Sequence, residues 1–260
     1  MNKNIKKISH LIILSIFLLM LTACVGLDRA LTKVTDHTQH PTYTYQDISD
    51  GGILILGLVN SGGEVNLTRI IHRAEYLQGS VLKKRKKYKV SPRSDFVNKL
   101  GDNMFLSIME NYRNERWITL DMMAAIREQY PDRYIFIARI ENTYQRRNTS
   151  SYKKDKPKKK DKNGNKTNED VDGPDKYGVT RSKIRGAIIS ADVFDLAQDI
   201  IVWSGTRDAT VTASKTYDTK IYVSSNNYTK TFPYPDYPSW RSTFKNSIEG
   251  LVTHMPHSKE

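Results

Sequence analysis

The sequence predicts an α/β (α+β) fold, a mixed sheet with packed helices in a single domain. Three observations carry that prediction. Residues 53–59 are apolar apart from Gly57, and lie between Gly51-Gly52 and Asn60-Ser61-Gly62-Gly63. A continuous apolar run closed by turn residues reads as a strand buried on both faces. Residues 134–140 repeat that pattern. Residues 186–196 and 200–204, separated by Ala197-Gln198-Asp199, read as a hairpin.

Helical spacing fills the intervals. After Gly63, Leu67, Ile70, Ile71, Ala74 and Leu77 share one side of a helix that Gly79 interrupts or ends. The run Lys83-Lys84-Arg85-Lys86-Lys87 leads into a short strand over 88–91. Pro92-Arg93-Ser94-Asp95 starts a helix with Phe96, Val97 and Leu100 inside, which Gly101 breaks. Met104, Phe105, Ile108, Met109 and Tyr112 mark the next helix, and Trp117-Ile118 a short extended piece. Leu120, Met123, Ile126 and Tyr130 mark another, stopped by Pro131. Residues 209–211 prolong the hairpin arm. Residues 217–237 read as a loose hairpin or an ordered loop. A last helix begins near Pro238, with Trp240, Phe244, Ile248, Leu251 and Val252 on one face.

Two segments read differently. Residues 25–48 show no sustained period and are taken as a tether. Residues 146–176 are Lys, Asp, Asn, Gly and Pro with almost no apolar side chain. Such a segment buries too little surface to offset ordering, so a long disordered basic loop is expected within the domain.

The chain start carries a separate signal. Lys3, Lys6 and Lys7 precede an apolar run over 11–20, followed by Leu21-Thr22-Ala23-Cys24. Positive, apolar, then small residues before a cut is the order of a secretory signal. The run is short for a span, which takes roughly 20 apolar residues. Leu21, Thr22, Ala23 and Cys24 resemble the lipobox of bacterial lipoproteins. The resemblance implies removal of residues 1–23, a diacylglycerol on the Cys24 thiol and an acyl (palmitate) chain on its amine. Each buried CH₂ contributes about 0.8 kcal/mol, so several chains hold a protein in the membrane. In lipoproteins of this kind an Asp just after the cysteine retains the protein in the inner membrane. Val25 stands there, so the resemblance implies the outer membrane of a Gram-negative cell with the polypeptide in the periplasm. The expected layout is a signal peptide (1–23), a lipid-anchored tether (24–48), a periplasmic domain (49–253, with 146–176 inserted) and a tail (254–260).

Cys24 is the only cysteine. Once lipidated it leaves no thiol for a disulfide, a nucleophile or a metal site. The formal charge of +13 becomes 13 − 3 = +10 when Lys3, Lys6 and Lys7 are removed. That excess favours anionic neighbours. For an exported chain these are lipid headgroups, cell-wall polymer or acidic protein faces, not nucleic acid.

Certain stretches point to a family. They are residues 53–60 as an opening strand, Tyr88-Lys89-Val90-Ser91-Pro92-Arg93-Ser94-Asp95-Phe96 as strand into helix, 131–140 as a strand after a helix, and Asp192-Val193-Phe194-Asp195 through Trp203-Ser204-Gly205 as a hairpin. They resemble the periplasmic α/β domain of envelope lipoproteins, a group holding the curli secretion channel subunit, the outer-membrane activators of penicillin-binding proteins and the amino-terminal domain of the Tol propeller protein. The resemblance implies work by binding and assembly rather than catalysis.

The residues themselves offer little chemistry. Ser80-Val81-Leu82-Lys83 fits S-x-x-K, the acylation motif of penicillin-recognising enzymes. The companion motifs fail at their third residue, because Phe96 follows Ser94-Asp95 and Tyr217 follows Lys215-Thr216. The segment is read as a solvated helix end entering a basic patch. The Asn60-Ser61-Gly62-Gly63 turn lacks the phosphate-loop pattern. His37-x-x-His40 and His254-x-x-His257 each lack a third ligand, so no metal and no cofactor beyond the lipid on Cys24 is expected. His72 reads as a surface or packing residue. Asp192 and Asp195, at odd spacing on a strand, point to opposite faces and are expected to meet solvent or Arg side chains. Lys83, Lys84, Arg85, Lys86 and Lys87 are the candidate contact for an anionic partner, since successive cations repel unless screened or paired.

The expected function is therefore non-catalytic: a structural or scaffold subunit of an envelope-spanning assembly of the secretion-system outer-membrane core type, acting through contacts with other envelope proteins. The alternative is a periplasmic regulator of peptidoglycan synthesis that binds a synthase. A curli-type export pore fits less well, because barrel strands need about 9–11 alternating residues and the basic loop has no such alternation.

Overall fold

The computed structural model describes residues 29–41, 43–61, 68–156, 158–160, 164, 166–170, 176–219 and 232–256. The signal segment, the lipobox and Cys24 lie outside them. The strands are β1 (Arg29–Gln39), β2 (Ile53–Asn60), β3 (Val90–Ser91), β4 (Tyr134–Lys153), β5 (Lys158–Lys160), β6 (Lys166–Asp170), β7 (Tyr177–Asp195) and β8 (Ile200–Thr219). The helices are α1 (Tyr45–Gly51), α2 (Thr68–Lys86), α3 (Arg93–Glu115), α4 (Leu120–Gln129) and α5 (Trp240–Thr253). Six strands form one sheet in the order β1-β8-β7-β4-β2-β3, and β5 pairs antiparallel with β6. The predicted class, a mixed sheet with packed helices, is the one observed. No described helix is long and apolar enough to cross a membrane.

The chain clusters into two compact units. The larger comprises Ala30–Gln145, Arg185–Val211 and Pro238–Glu260. Here β2 lies one strand in from the edge, with β3 and β4 parallel to it on either side. Alternate side chains feed two cores. Ile53, Ile55 and Leu58 join Tyr134, Phe136 and α5 residues such as Phe244. Leu54, Leu56 and Val59 join Phe96, Ile108 and Ile126 from α3 and α4. Strict alternation would send Ile55 and Leu58 to opposite faces. They share a core because the pairing with β4 shifts register between Ile55 and Gly57, a bulge that inverts the parity of the strand. Gly57 carries φ 132, a conformation that L side chains rarely adopt.

Local sequence explains the helix ends. Thr44 and Asp47 form a capping box at α1, with the Thr44 amide 2.9 Å from Asp47 Oδ2. Those hydrogen bonds from Thr44 also hold the Asp47 carboxyl below its ordinary pKa. Gly101 has φ 82 inside α3 and kinks it, where the sequence predicted a break between two helices. Thr119 caps α4 and Ser239 caps α5.

In the larger unit, Tyr144 of β4 lies flat over Gly186 of β7, where a Cβ would stand 2.1 Å from the ring. The Tyr144 hydroxyl crosses to Asp208 of β8 at 2.9 Å.

The smaller unit comprises the described residues within 146–184 and 212–237, with Arg29. Polar groups organise it. Thr180 meets Thr216 at 2.9 Å and Ser182 meets Ser214 at 2.8 Å. Arg147 and Arg181 lie over the Tyr234 ring at 5.7 and 4.4 Å, and Thr149 reaches its hydroxyl at 2.8 Å.

Two expectations are corrected. The tether over 24–48 is not featureless, because it carries β1 and the start of α1. The basic loop over 146–176 is partly ordered: β4 runs on to Lys153, and β5 pairs with β6. In the first segment, Tyr43 and Ile48 are buried in the core; in the second, backbone pairing and contacts such as Arg147 over Tyr234 take the place of apolar burial.

Candidate functional site

A cleft of about 850 Å³ opens in the larger unit beside β3. One wall is α2, through Glu75, Tyr76, Gly79, Ser80 and Lys83; the other is the start of α3, through Arg93, Ser94, Val97 and Asn98. Ile55 and Val90 line its base. The cleft exists because β3 stops after two residues. Pro92 then turns the chain into α3, so β3 covers only Ile53 and Leu54 of β2.

Charge within the cleft is partly spent. Arg93 Nη1 donates to Glu75 Oε2 at 2.6 Å, and the guanidinium lies 4.3 Å from the Phe105 ring centre. Glu75 reaches in over the bulge, since a Cβ on Gly57 would meet its carboxyl end at 3.1 Å. Lys83 lines the cleft and is exposed. Tyr76 stands at the rim with 79% of its surface exposed, more than any other large apolar side chain described. Gly79 sits mid-helix with open space where a Cβ would be. A mid-helix glycine costs about 1 kcal/mol relative to alanine, and nothing in the fold requires one here.

The basic run divides by role. Lys83, Lys84 and Lys87 are exposed. Lys86 is buried, and its ammonium donates to Thr253 O at 3.3 Å and Met255 O at 2.8 Å, the carbonyls that end α5. A cation at a helix carboxyl end is favourable. Lys86 therefore joins α2 to α5 and is not an open contact for an anionic partner. The Arg85 side chain and His72 lie outside the described side chains.

Ser80 and Ser94, singled out with the acylation motif, face each other across the cleft with Lys83. Lys215 and Thr216 belong to the smaller unit. Glu75, Tyr76, Gly79 and Arg93 were missed as site residues. The available signal was Gly79, a breaker inside a helical pattern, which reads equally as a helix end.

The carboxylates serve the fold. Asp192 and Asp195 point to opposite faces as expected, and both pair with Arg, but each is 1% exposed rather than meeting solvent. Arg133 holds Asp195 through Nε and Nη2 at 2.6–3.0 Å. Burial, with Asp192 nearby, raises the Tyr112 pKa well above the ordinary tyrosine value.

His37 and His254, expected in the tether and the tail, meet: their rings are 5.2 Å apart, His37 on β1 and His254 capping α5. Burial, then the charges of His37, Arg207 and Lys86, lower the His254 pKa. His257 lies outside the described residues. Among the described residues, no three His, Cys, Asp or Glu side chains gather as a metal site.

No protein-family model and no curated protein matches the chain. Among solved structures, it is similar to the PelC dodecamer from Paraburkholderia phytofirmans, at 13% identity over 89% of this chain and 100% of that one, with TM-score 0.35. A point variant of that dodecamer gives 13% identity over 88% and 100%, with TM-score 0.34. Lipoprotein GNA1162 from Neisseria meningitidis is similar at 13% identity over 66% of this chain and 86% of that one, with TM-score 0.33. Likenesses at these scores decide neither the fold nor the function of this chain.

Proposed function

We propose that the protein is an outer-membrane lipoprotein whose body faces the periplasm and acts without catalysis, as a scaffold subunit of an envelope-spanning assembly. The observation that carries this reading is Leu21-Thr22-Ala23-Cys24 behind a basic head and an apolar run, ending on the sole cysteine. Triacylation of Cys24 anchors the chain, and Val25 in place of Asp favours the outer membrane. Further support comes from how the charged side chains are used. Asp192, Asp195 and Lys86 are all engaged in holding elements together, while the cleft offers a shaped surface for a protein segment.

The test is fractionation of the full chain and its Cys24→Ser variant after labelling with radioactive palmitate. The wild type is expected to label and to sediment with outer membranes, and the variant to do neither. In-cell crosslinking followed by gentle detergent extraction is expected to yield a multi-subunit species. An unlabelled wild type, or a lone monomer after crosslinking, overturns the reading.

A further inference from the structure

The cleft beside β3 is open among the described residues. β3 is one of the two edge strands of the sheet, two residues long, and among the described residues no strand pairs with its free side. An uncovered strand edge offers a row of backbone donors and acceptors to an incoming extended segment. The cleft opens at that edge, with apolar side chains at its base and polar groups along its walls. Gly79 keeps one wall open by having no side chain, at a helical position where other residues form helix better. Tyr76, 79% exposed, lines the rim of the cleft.

Outside the Glu75–Arg93 pair, the charge that lines the cleft is Lys83. Lys84, Lys87 and Lys89 are exposed on the stretch leading into β3. We propose that this cleft binds an extended acidic segment of a partner protein, which adds to the free side of β3, seats one apolar side chain against Ile55, Val90 and Val97, and places a carboxylate on Lys83. This deepens the scaffold reading and rests on it for the identity of the compartment, but not for the chemistry of the cleft.

The test begins with the photocrosslinking residue p-benzoylphenylalanine at position 76 in the full chain in cells, with position 120, also exposed, as a control. The segment captured at position 76 is identified by mass spectrometry and remade as a synthetic peptide. Its binding is then measured by fluorescence anisotropy. Gly79→Leu fills the cleft while improving helix propensity, so it keeps the fold, as circular dichroism checks. It is expected to weaken binding at least tenfold, and Lys83→Glu similarly. N-methylation of alternate peptide amides, which removes edge pairing, is expected to abolish binding, and added salt to weaken it.

No capture specific to position 76, a captured segment that is neutral or basic, or equal binding by Gly79→Leu and wild type overturns the proposal. Capture of a second copy of this chain, or of lipid, also overturns it. The Cys24→Ser protein, purified without its anchor, is expected to bind the peptide as tightly as the wild type. Failure of the anchor reading therefore shows in fractionation, and failure of the cleft proposal shows in anisotropy.

Discussion

The guanidinium of Arg116 grips the carboxylate of Asp192 with two hydrogen bonds, Nε to Oδ2 at 3.0 Å and Nη2 to Oδ1 at 2.8 Å. Tyr112 and Ser204 add their hydroxyls at 2.7 and 2.5 Å. One carboxylate thereby joins the carboxyl end of α3 to β7 and β8. Arg116 sits at φ 58, a left-handed conformation at the helix end, where its backbone N–H donates to Tyr112 O. Removing one partner leaves a buried charge uncompensated, which is costlier than the net worth of the pair. Arg116 is a third exposed, which softens that cost. Arg116→Met is expected to lower unfolding stability by about 2–3 kcal/mol, read from the urea midpoint.

Lys86 provides a second measurement. Its two hydrogen bonds to the carbonyls ending α5 are charge-assisted. Lys86→Met is expected to cost about 1.5–3 kcal/mol, whereas the exposed Lys84→Ala stays within about 0.5 kcal/mol of the wild type. Equal effects from the two would show that the basic run is not divided as described.

Gly186 makes room for the Tyr144 ring. Gly186→Ala pushes the ring off β7 and breaks its reach to Asp208. The expected cost is about 1–3 kcal/mol. The double variant Gly186→Ala/Tyr144→Ala is expected to cost less than the sum of the two singles, as thermal denaturation of all four proteins would show.

His254 gives the protein a pH dependence. Its folded-state pKa is lowered, by burial first and then by His37, Arg207 and Lys86. The unfolded chain therefore binds a proton at this site more readily than the folded one. Stability rises with pH across that interval, and falls as pH drops below about 6.5, the ordinary histidine value. The melting temperature is expected to fall by a few degrees between pH 7.5 and pH 5, and His254→Gln is expected to reduce that dependence.

Apolar periodicity made the heart of the larger unit legible. Residues 53–59 were read as a strand buried on both faces, and β2 is that strand. Gly101 and Pro131 punctuate the helices where expected. The bulge at Gly57 escaped, because a run apolar throughout conceals a change of face. Strand lengths also escaped. β4 was read as ending near Ile140 and runs to Lys153, since its later residues pair through backbone and bear polar side chains. The cleft was illegible for a geometric reason. It arises from where β3 stops, and Glu75 and Arg93 meet only once α2 and α3 lie on either side of that gap. Ser80 and Lys83 were singled out for a chemistry whose third element lies in the other unit.

Strand β1 sets a limit on the reach of the proposed anchor. It begins at Arg29, five residues past Cys24. At about 3.3–3.6 Å per residue, that leash spans about 17 Å at full stretch, against about 85 Å had the chain stayed slack as far as Ser49. Were Cys24 acylated as proposed, the first residue of β1 would be held within about 17 Å of the phosphates of its leaflet.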